Sequence, residues 1–158
     1  MASGVSDRGA GLWLSALFCI TDPIAGYWVG LCAGDPGAAA DGDVVLTLEP
    51  GADDDDRRTC GYTRRWIPAG PDAWAADDAY LTNLVEIAFP LPATDWGYLS
   101  HYALLDTPSD FSDTPDGGQL YAWGAFANPQ TVTTSTAMTI PVGGLVLSLS
   151  SVEDSIAV

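Results

Sequence analysis

Along the second half of the chain, hydrophobic and polar residues alternate with the period of a β-strand. Between Leu84 and Phe89, the side chains of Val85, Ile87 and Phe89 fall on one face and Glu86 on the other. Leu145, Leu147 and Leu149 alternate in the same way with Val146, Ser148 and Ser150. Clusters of Pro, Gly, Asp and Asn punctuate this half and divide it into strand-length segments: Leu84–Phe89, Gly97–Leu105, Leu120–Phe126, Thr131–Ile140 and Leu145–Ser150. Gly97–Leu105 and Leu120–Phe126 are apolar on both faces, which predicts inner strands or strands covered by a neighbouring subunit. The first half is less regular. Tyr27–Leu31, Val44–Leu48 and Tyr62–Ile67 read as strands, and Pro68 to Asp78 as a connection anchored by Trp74. Residues 6–20 predict one short buried helix, opened by Ser6 or Asp7 and ended near Thr21-Asp22-Pro23. The pattern as a whole predicts an all-β chain, an antiparallel β-sandwich or jelly roll with one short N-terminal helix.

A length of 158 residues fits a single domain spanning 1–158, with residues 151–158 a flexible or docking tail. The apolar fraction of 47%, with six Trp and six Tyr, predicts a folded chain with a real core. Charge narrows the partners. There are 21 acidic side chains against five arginines (Arg8, Arg57, Arg58, Arg64 and Arg65) and no lysine, a net charge of -16. Such a surface repels phosphate backbones and anionic membranes, so neither nucleic acid nor membrane is an expected partner. It suits solubility at high local concentration. The apolar run from Gly11 to Ile20 imitates the core of a signal peptide, but Asp7 neutralises the basic Arg8 before it, and it is too short to span a bilayer.

Three cysteines, Cys19, Cys32 and Cys60, show no paired spacing, and one histidine is too few for a structural zinc site. They read as thiols of a chain made in a reducing cytoplasm, with a Cys32–Cys60 bridge as the minor alternative. Neither Asp53–Asp56 nor the set Asp110, Asp113 and Asp116 has EF-hand spacing, so both read as solvated loops before they read as calcium ligands. No cofactor is expected. Arg64 and Arg65 are adjacent in a strand, which would place them on opposite faces. The connection Asp106–Gly118, at thirteen residues, is long for a hairpin and is a candidate for contact or function.

Catalysis has little support. Any acid–base mechanism through histidine must use His101, which lies mid-strand with Ser100 and Tyr102 expected on the opposite face. No GxSxG elbow precedes a serine, and Asp95 with Asp106 has no more claim to a glycosidase pair than any other two carboxylates. The chain is expected to be no enzyme. Its aromatic residues could build a sugar-stacking platform, but they suit a core and subunit interfaces better. Trp96-Gly97 has the form of a bulge or close backbone approach at a strand start. Trp96, Gly97, Tyr98, His101, Tyr121 and Trp123 are the candidate interface or structural residues.

Several phrases together resemble a family of small tailed-phage virion proteins, described as tail-fibre-like or minor tail proteins. Tyr27 to Gly37 resembles a "YxGL-x-x-x-DPG" opening, Tyr62-Thr63-Arg64-Arg65 a "YxR" strand, and Asn83 to Phe89 an "N-x-x-x-I-x-F" strand. Ala93 to Ala103 is similar to "ATxWGxVTHxAL", and the likeness continues through Gly117 to Phe126 and into Pro141 to Leu145. It covers roughly residues 10 to 150 in order and departs around residues 50 to 60 and in the Asp106–Gly118 loop. The resemblance implies a non-enzymatic virion component. Its expected action is packing as a homo-oligomer or against other virion proteins, in the tail or tail-fibre region or as a capsid decoration protein. A carbohydrate-binding module for host surface glycans is the alternative.

Overall fold

The computed structural model describes residues 3–5, 24–52, 59–77, 80–109 and 116–148, of which 3–5 and 77 are described in backbone alone. The predicted helix at 6–20, the tail 151–158, the run Asp53–Asp56 and the residues Asp110 and Asp113 lie outside them. The strands are β1 (Ser3–Val5), β2 (Gly26–Cys32), β3 (Arg65–Pro68), β4 (Trp74–Asp77), β5 (Tyr80–Asn83), β6 (Ile87–Ala88), β7 (Gly97–Leu105), β8 (Leu120–Val132), β9 (Thr139–Ile140) and β10 (Val146–Ser148), with helix α1 (Gly42–Leu48) between β2 and β3. All pairings are antiparallel. They form a five-stranded sheet in the order β1-β8-β7-β2-β3, a three-stranded sheet β10-β5-β4 and a two-stranded ribbon β6-β9. The all-β sandwich expected from the alternation is the fold observed.

The layers follow from the pleat. Leu31 stands opposite Tyr102, and Val29 opposite Leu104, so these side chains share one face of the large sheet. That face packs on Trp74, Ile87, Ile140 and Leu147 from the two smaller sheets, forming the main core. The Tyr102 hydroxyl ties the layers, donating to the Val146 carbonyl at 2.6 Å and accepting the Val146 N–H at 2.9 Å. On the other face, Cys32, Ala103, Leu105, Leu120 and Trp123 pack under Val45 of α1. β7 is therefore apolar on both faces because each is covered within the chain.

Several expectations are corrected. Val44–Leu48 is helical, not extended: the Asp41 side chain caps α1 by accepting the Val44 N–H at 3.0 Å, and Val45 and Leu46 bury its inner face. The cap and the burial outweigh the β preference of Val44 and Val45. The end of the Pro68–Asp78 connection is β4, with Trp74 anchored as expected and its Nε1–H donating to the Pro68 carbonyl at 3.0 Å. β5 had no counterpart in the pattern. Thr131–Ile140 is no single strand: β8 runs on through Val132, a turn closes at Thr133–Thr136, and β9 follows. Leu84–Phe89 alternates as expected, with Ile87 and Phe89 buried and Glu86 exposed, yet pairs only at Ile87–Ala88.

The edge strand β3 is closed to further pairing at several points. The Arg64 N–H just before it is taken by Ser109 Oγ at 2.7 Å, Pro68 has no N–H, and the Pro68 carbonyl is occupied by Trp74. Among the described residues no helix is long and apolar enough to cross a membrane.

Candidate functional site

The densest polar arrangement centres on a residue that a sheet protein would ordinarily leave in water. Arg64 is 1% exposed, Tyr62 3% and Glu49 7%. The Arg64 guanidinium grips the Glu49 carboxylate with two parallel bonds, Nε to Oε1 at 2.8 Å and Nη2 to Oε2 at 2.9 Å. Its remaining edge, Nη1, donates to the carbonyls of Thr107 at 3.1 Å and Gly117 at 3.0 Å. The Tyr62 hydroxyl donates to Glu49 Oε1 at 2.8 Å while accepting the Leu31 N–H at 2.9 Å. Each guanidinium nitrogen and each carboxylate oxygen of the pair is thus engaged, the condition under which a buried ion pair is tolerated.

Backbone proximity builds the node. Glu49 leaves α1 at its C-cap and lies over Gly30, where a Cβ would stand 2.6 Å from Glu49 Oε1. Gly42, at the start of α1, meets Gly117 so closely that neither could carry a side chain, and the Gly42 N–H donates to the Gly118 carbonyl at 3.1 Å. Asp43 Oδ1 accepts the Gly117 N–H at 3.0 Å. Arg64 thereby joins the end of α1 to both ends of the long β7–β8 connection, and Tyr62 ties the same carboxylate to β2 through Leu31.

The electrostatics are those of a locked site. Burial alone would lower the Arg64 pKa, but the Glu49 carboxylate outweighs it and holds the guanidinium above its ordinary value. Burial, reinforced by Glu49, pushes the Tyr62 phenol well up. Cys32 is raised well above the ordinary thiol by burial first and Glu49 second. Such a thiol is a packing group, not a nucleophile. Cys32 and Cys60 are both buried thiols, with the Cys60 Sγ–H donating to the Pro50 carbonyl at 3.8 Å. Among the described residues no group of three His, Cys, Asp or Glu side chains is placed to hold a metal ion.

The residues singled out from sequence are dispersed over the molecule. Trp96 is buried, its Nε1–H donating to the Cys60 carbonyl at 2.9 Å and its ring meeting Tyr62 edge-on at 5.3 Å. Gly97 holds φ at +79°, a left-handed conformation that L side chains rarely adopt, at the first residue of β7. Tyr98 is 55% exposed. Tyr121 is buried against Tyr27, their rings 5.7 Å apart. Trp123 is buried beneath α1 with its indole N–H unpartnered. His101 is half-buried, and Ser100 does not face away from it: the pairing of β7 with β8 slips between Leu99 and His101, bringing Ser100 Oγ to 2.8 Å from His101 Nδ1. Ser100 Oγ also donates to the Ala33 carbonyl at 3.1 Å, so the pair fastens β7 to the end of β2. Asp95 and Asp106 each accept a backbone N–H, from Thr134 at 2.9 Å and from Gln119 at 2.7 Å. Arg64 is buried and Arg65 exposed, on opposite faces as their adjacency requires.

The node escaped the sequence reading because its members are spread along the chain. Glu49 lies 15 residues before Arg64, and Gly117 lies 53 residues after it. The "YxR" phrase, Tyr62 to Arg64, was its one visible trace.

A family model described as podophage GP4 fiber I protein gp80 matches residues 12–148. The chain belongs to that family of phage fibre proteins. The match takes in β2 through β10, hence the whole node and the core of both layers. The resemblance to tail-fibre-like virion proteins is met at this level. No curated protein matches the chain.

Proposed function

We propose that the chain is a non-enzymatic structural subunit of a phage tail fibre and that it works as a homo-oligomer, packing against sister copies and other virion proteins. Membership of the fibre family is the observation that carries the reading. The chemistry of the site supports it: a guanidinium, a carboxylate and a phenol that are all buried and mutually satisfied hold loops in place and have no free valence for a substrate. Trp96, Gly97, Tyr121, Trp123 and His101 serve the subunit's own architecture, and exposed Tyr98 is free to serve a contact. Membership of a fibre family supports the tail over the capsid-decoration alternative. Immunogold labelling of intact virions tests this directly. Label on the fibres is expected, whereas label over the capsid lattice, or none, would reject the tail assignment.

Host-glycan binding is the second reading, and one local geometry favours it. Trp66 is 46% exposed, lies against the Gly26 backbone and meets Trp28 at 5.4 Å, which presents a fixed indole surface to solvent. Titration with host surface polysaccharide should then quench tryptophan fluorescence in the wild type and not in Trp66→Ala. An unchanged wild-type spectrum removes this reading.

A further inference from the structure

β8 does not lie evenly along β7. Leu99 stands opposite Gln130 and His101 opposite Ala125, so residues 126–129 face the single residue Ser100. A bulge of this kind re-aims side chains and is a common neighbour of binding sites. Here Phe126 turns inward, its ring 5.4 Å from that of Tyr102, while Ala127, Asn128 and Pro129 stand exposed. Between the bulge and β9 with the turn that follows it lies a cleft of about 90 Å³. It is lined by Phe126, Asn128, Gln130, Met138, Thr139 and Pro141 among others.

Both walls are fixed before anything enters. Fully buried Asn83 holds the wall beyond β9: its side chain donates to the Pro141 carbonyl at 2.9 Å and accepts the Leu145 N–H at 2.8 Å, and its own carbonyl accepts the Gly143 N–H at 2.8 Å. The Met138 carbonyl accepts the Phe89 N–H at 2.9 Å. Gln130 Nε2 donates to Met138 Sδ at 2.6 Å and so ties one wall to the other. Among the described residues nothing bonds the side chains of Asn128 and Thr139. An amide and a hydroxyl, each able to donate and to accept, are therefore left for a ligand.

We propose that this cleft binds one neutral sugar ring, held by Asn128 and Thr139 against the apolar surface of Phe126, Met138 and Pro141. The wall selects the ligand by exclusion. It carries no charged side chain, so a phosphate, carboxylate or ammonium would give up water with no counter-charge to meet it. A wholly apolar ligand would cover the Asn128 amide and the Thr139 hydroxyl without bonding them, a desolvation that costs binding. An extended peptide adds to a strand edge through successive backbone groups. Here the bulge breaks that ladder, and Pro129 has no N–H to offer. A pyranose carries hydroxyls on its rim and C–H groups on its faces, which matches polar groups set among apolar side chains. A cleft of this volume takes one ring and not a chain of them. The site goes beyond the glycan reading at Trp66, with which it shares a class of ligand and not a place: β7 and β2 separate β8 from β3 in the five-stranded sheet.

Amide NMR on the full chain tests this, with the methyl glycosides of glucose, galactose, mannose and N-acetylglucosamine, with glucuronate, and with an end-blocked alanine dipeptide as probes. At least one neutral glycoside should shift the amides of residues 126–130 and 138–144 saturably, and glucuronate should bind there several-fold more weakly. Asn128→Ala and Thr139→Val, the second of unchanged shape, should each weaken that binding several-fold with the rest of the spectrum in place. Shifts confined to Trp28 and Trp66 would overturn the cleft and leave the glycan reading standing, whereas no shift anywhere with any glycoside counts against both. Equal binding of glucuronate overturns the neutral class, and shifts of the cleft by the dipeptide alone make it a peptide slot. If one variant misfolds, unchanged affinity in the other still overturns the proposal.

Discussion

Arg64 shows how a single residue can be costly to bury and costlier to remove. Its guanidinium satisfies Glu49 and two loop carbonyls at once. Deleting it would strand a carboxylate in the interior. Arg64→Ala is therefore expected to cost about 3–5 kcal/mol of stability in urea unfolding, and the double replacement Arg64→Met with Glu49→Gln should cost less than Arg64→Ala alone. If both cost the same, the ion pair is not what the arginine is buried for. Tyr62 holds the same carboxylate and the Leu31 N–H, so its hydroxyl carries a smaller share, about 1–3 kcal/mol in Tyr62→Phe. At this scale the sequence revealed polarity but not company. Adjacent Arg64 and Arg65 had to part to opposite faces, and they do. Nothing local said that the buried one would meet Glu49 or the carbonyl of Gly117.

At the scale of elements, legibility tracked burial on both faces or clear alternation. β2 and β7 were readable because Tyr27–Leu31 is a continuous apolar run and Gly97–Leu105 is apolar but for Ser100 and His101, each ended by turn residues. α1 was misread because Val44-Val45-Leu46-Thr47-Leu48 has the composition of a strand, and its helical state depends on one cap and on docking against Trp123 and Leu105. Asp41→Ala should consequently destabilise the protein by about 1 kcal/mol. Amide hydrogen exchange should show α1 and the two ends of the β7–β8 connection opening together, since Gly117 is bonded to both Asp43 and Arg64. Independent exchange of the two would show that the node does not couple them. β4 and β5 were hidden for another reason: each is four residues long and lies among Gly, Pro and Asp that also suit loops.

For the whole molecule, the buried titratable groups set an alkaline limit. Tyr62 and Tyr102 are both raised by burial above the ordinary phenol value of 10.0, and Cys32 above the ordinary thiol value of 9.0. In each case the folded protein holds its proton more tightly than the unfolded chain does. The resulting stability is complete below those ordinary values and is lost as pH rises through and beyond them. The melting temperature should fall from about pH 9 upward. Tyr102→Phe should flatten part of that fall, and phenolate absorbance from two of the six tyrosines should appear only on unfolding. The same architecture bears on time. The node closes contacts between residues as far apart as Leu31, Tyr62 and Gly117, so it is expected to form after the sheets have met, late in folding. Interactions absent from the transition state slow unfolding without speeding folding. Arg64→Ala should thus raise the unfolding rate far more than it lowers the refolding rate in a stopped-flow chevron. For a particle component that no chaperone attends once the virion has left its host, the half-life of the folded subunit matters more than its equilibrium stability. The arginine clamp would then act as a clock, setting how long a released fibre stays intact.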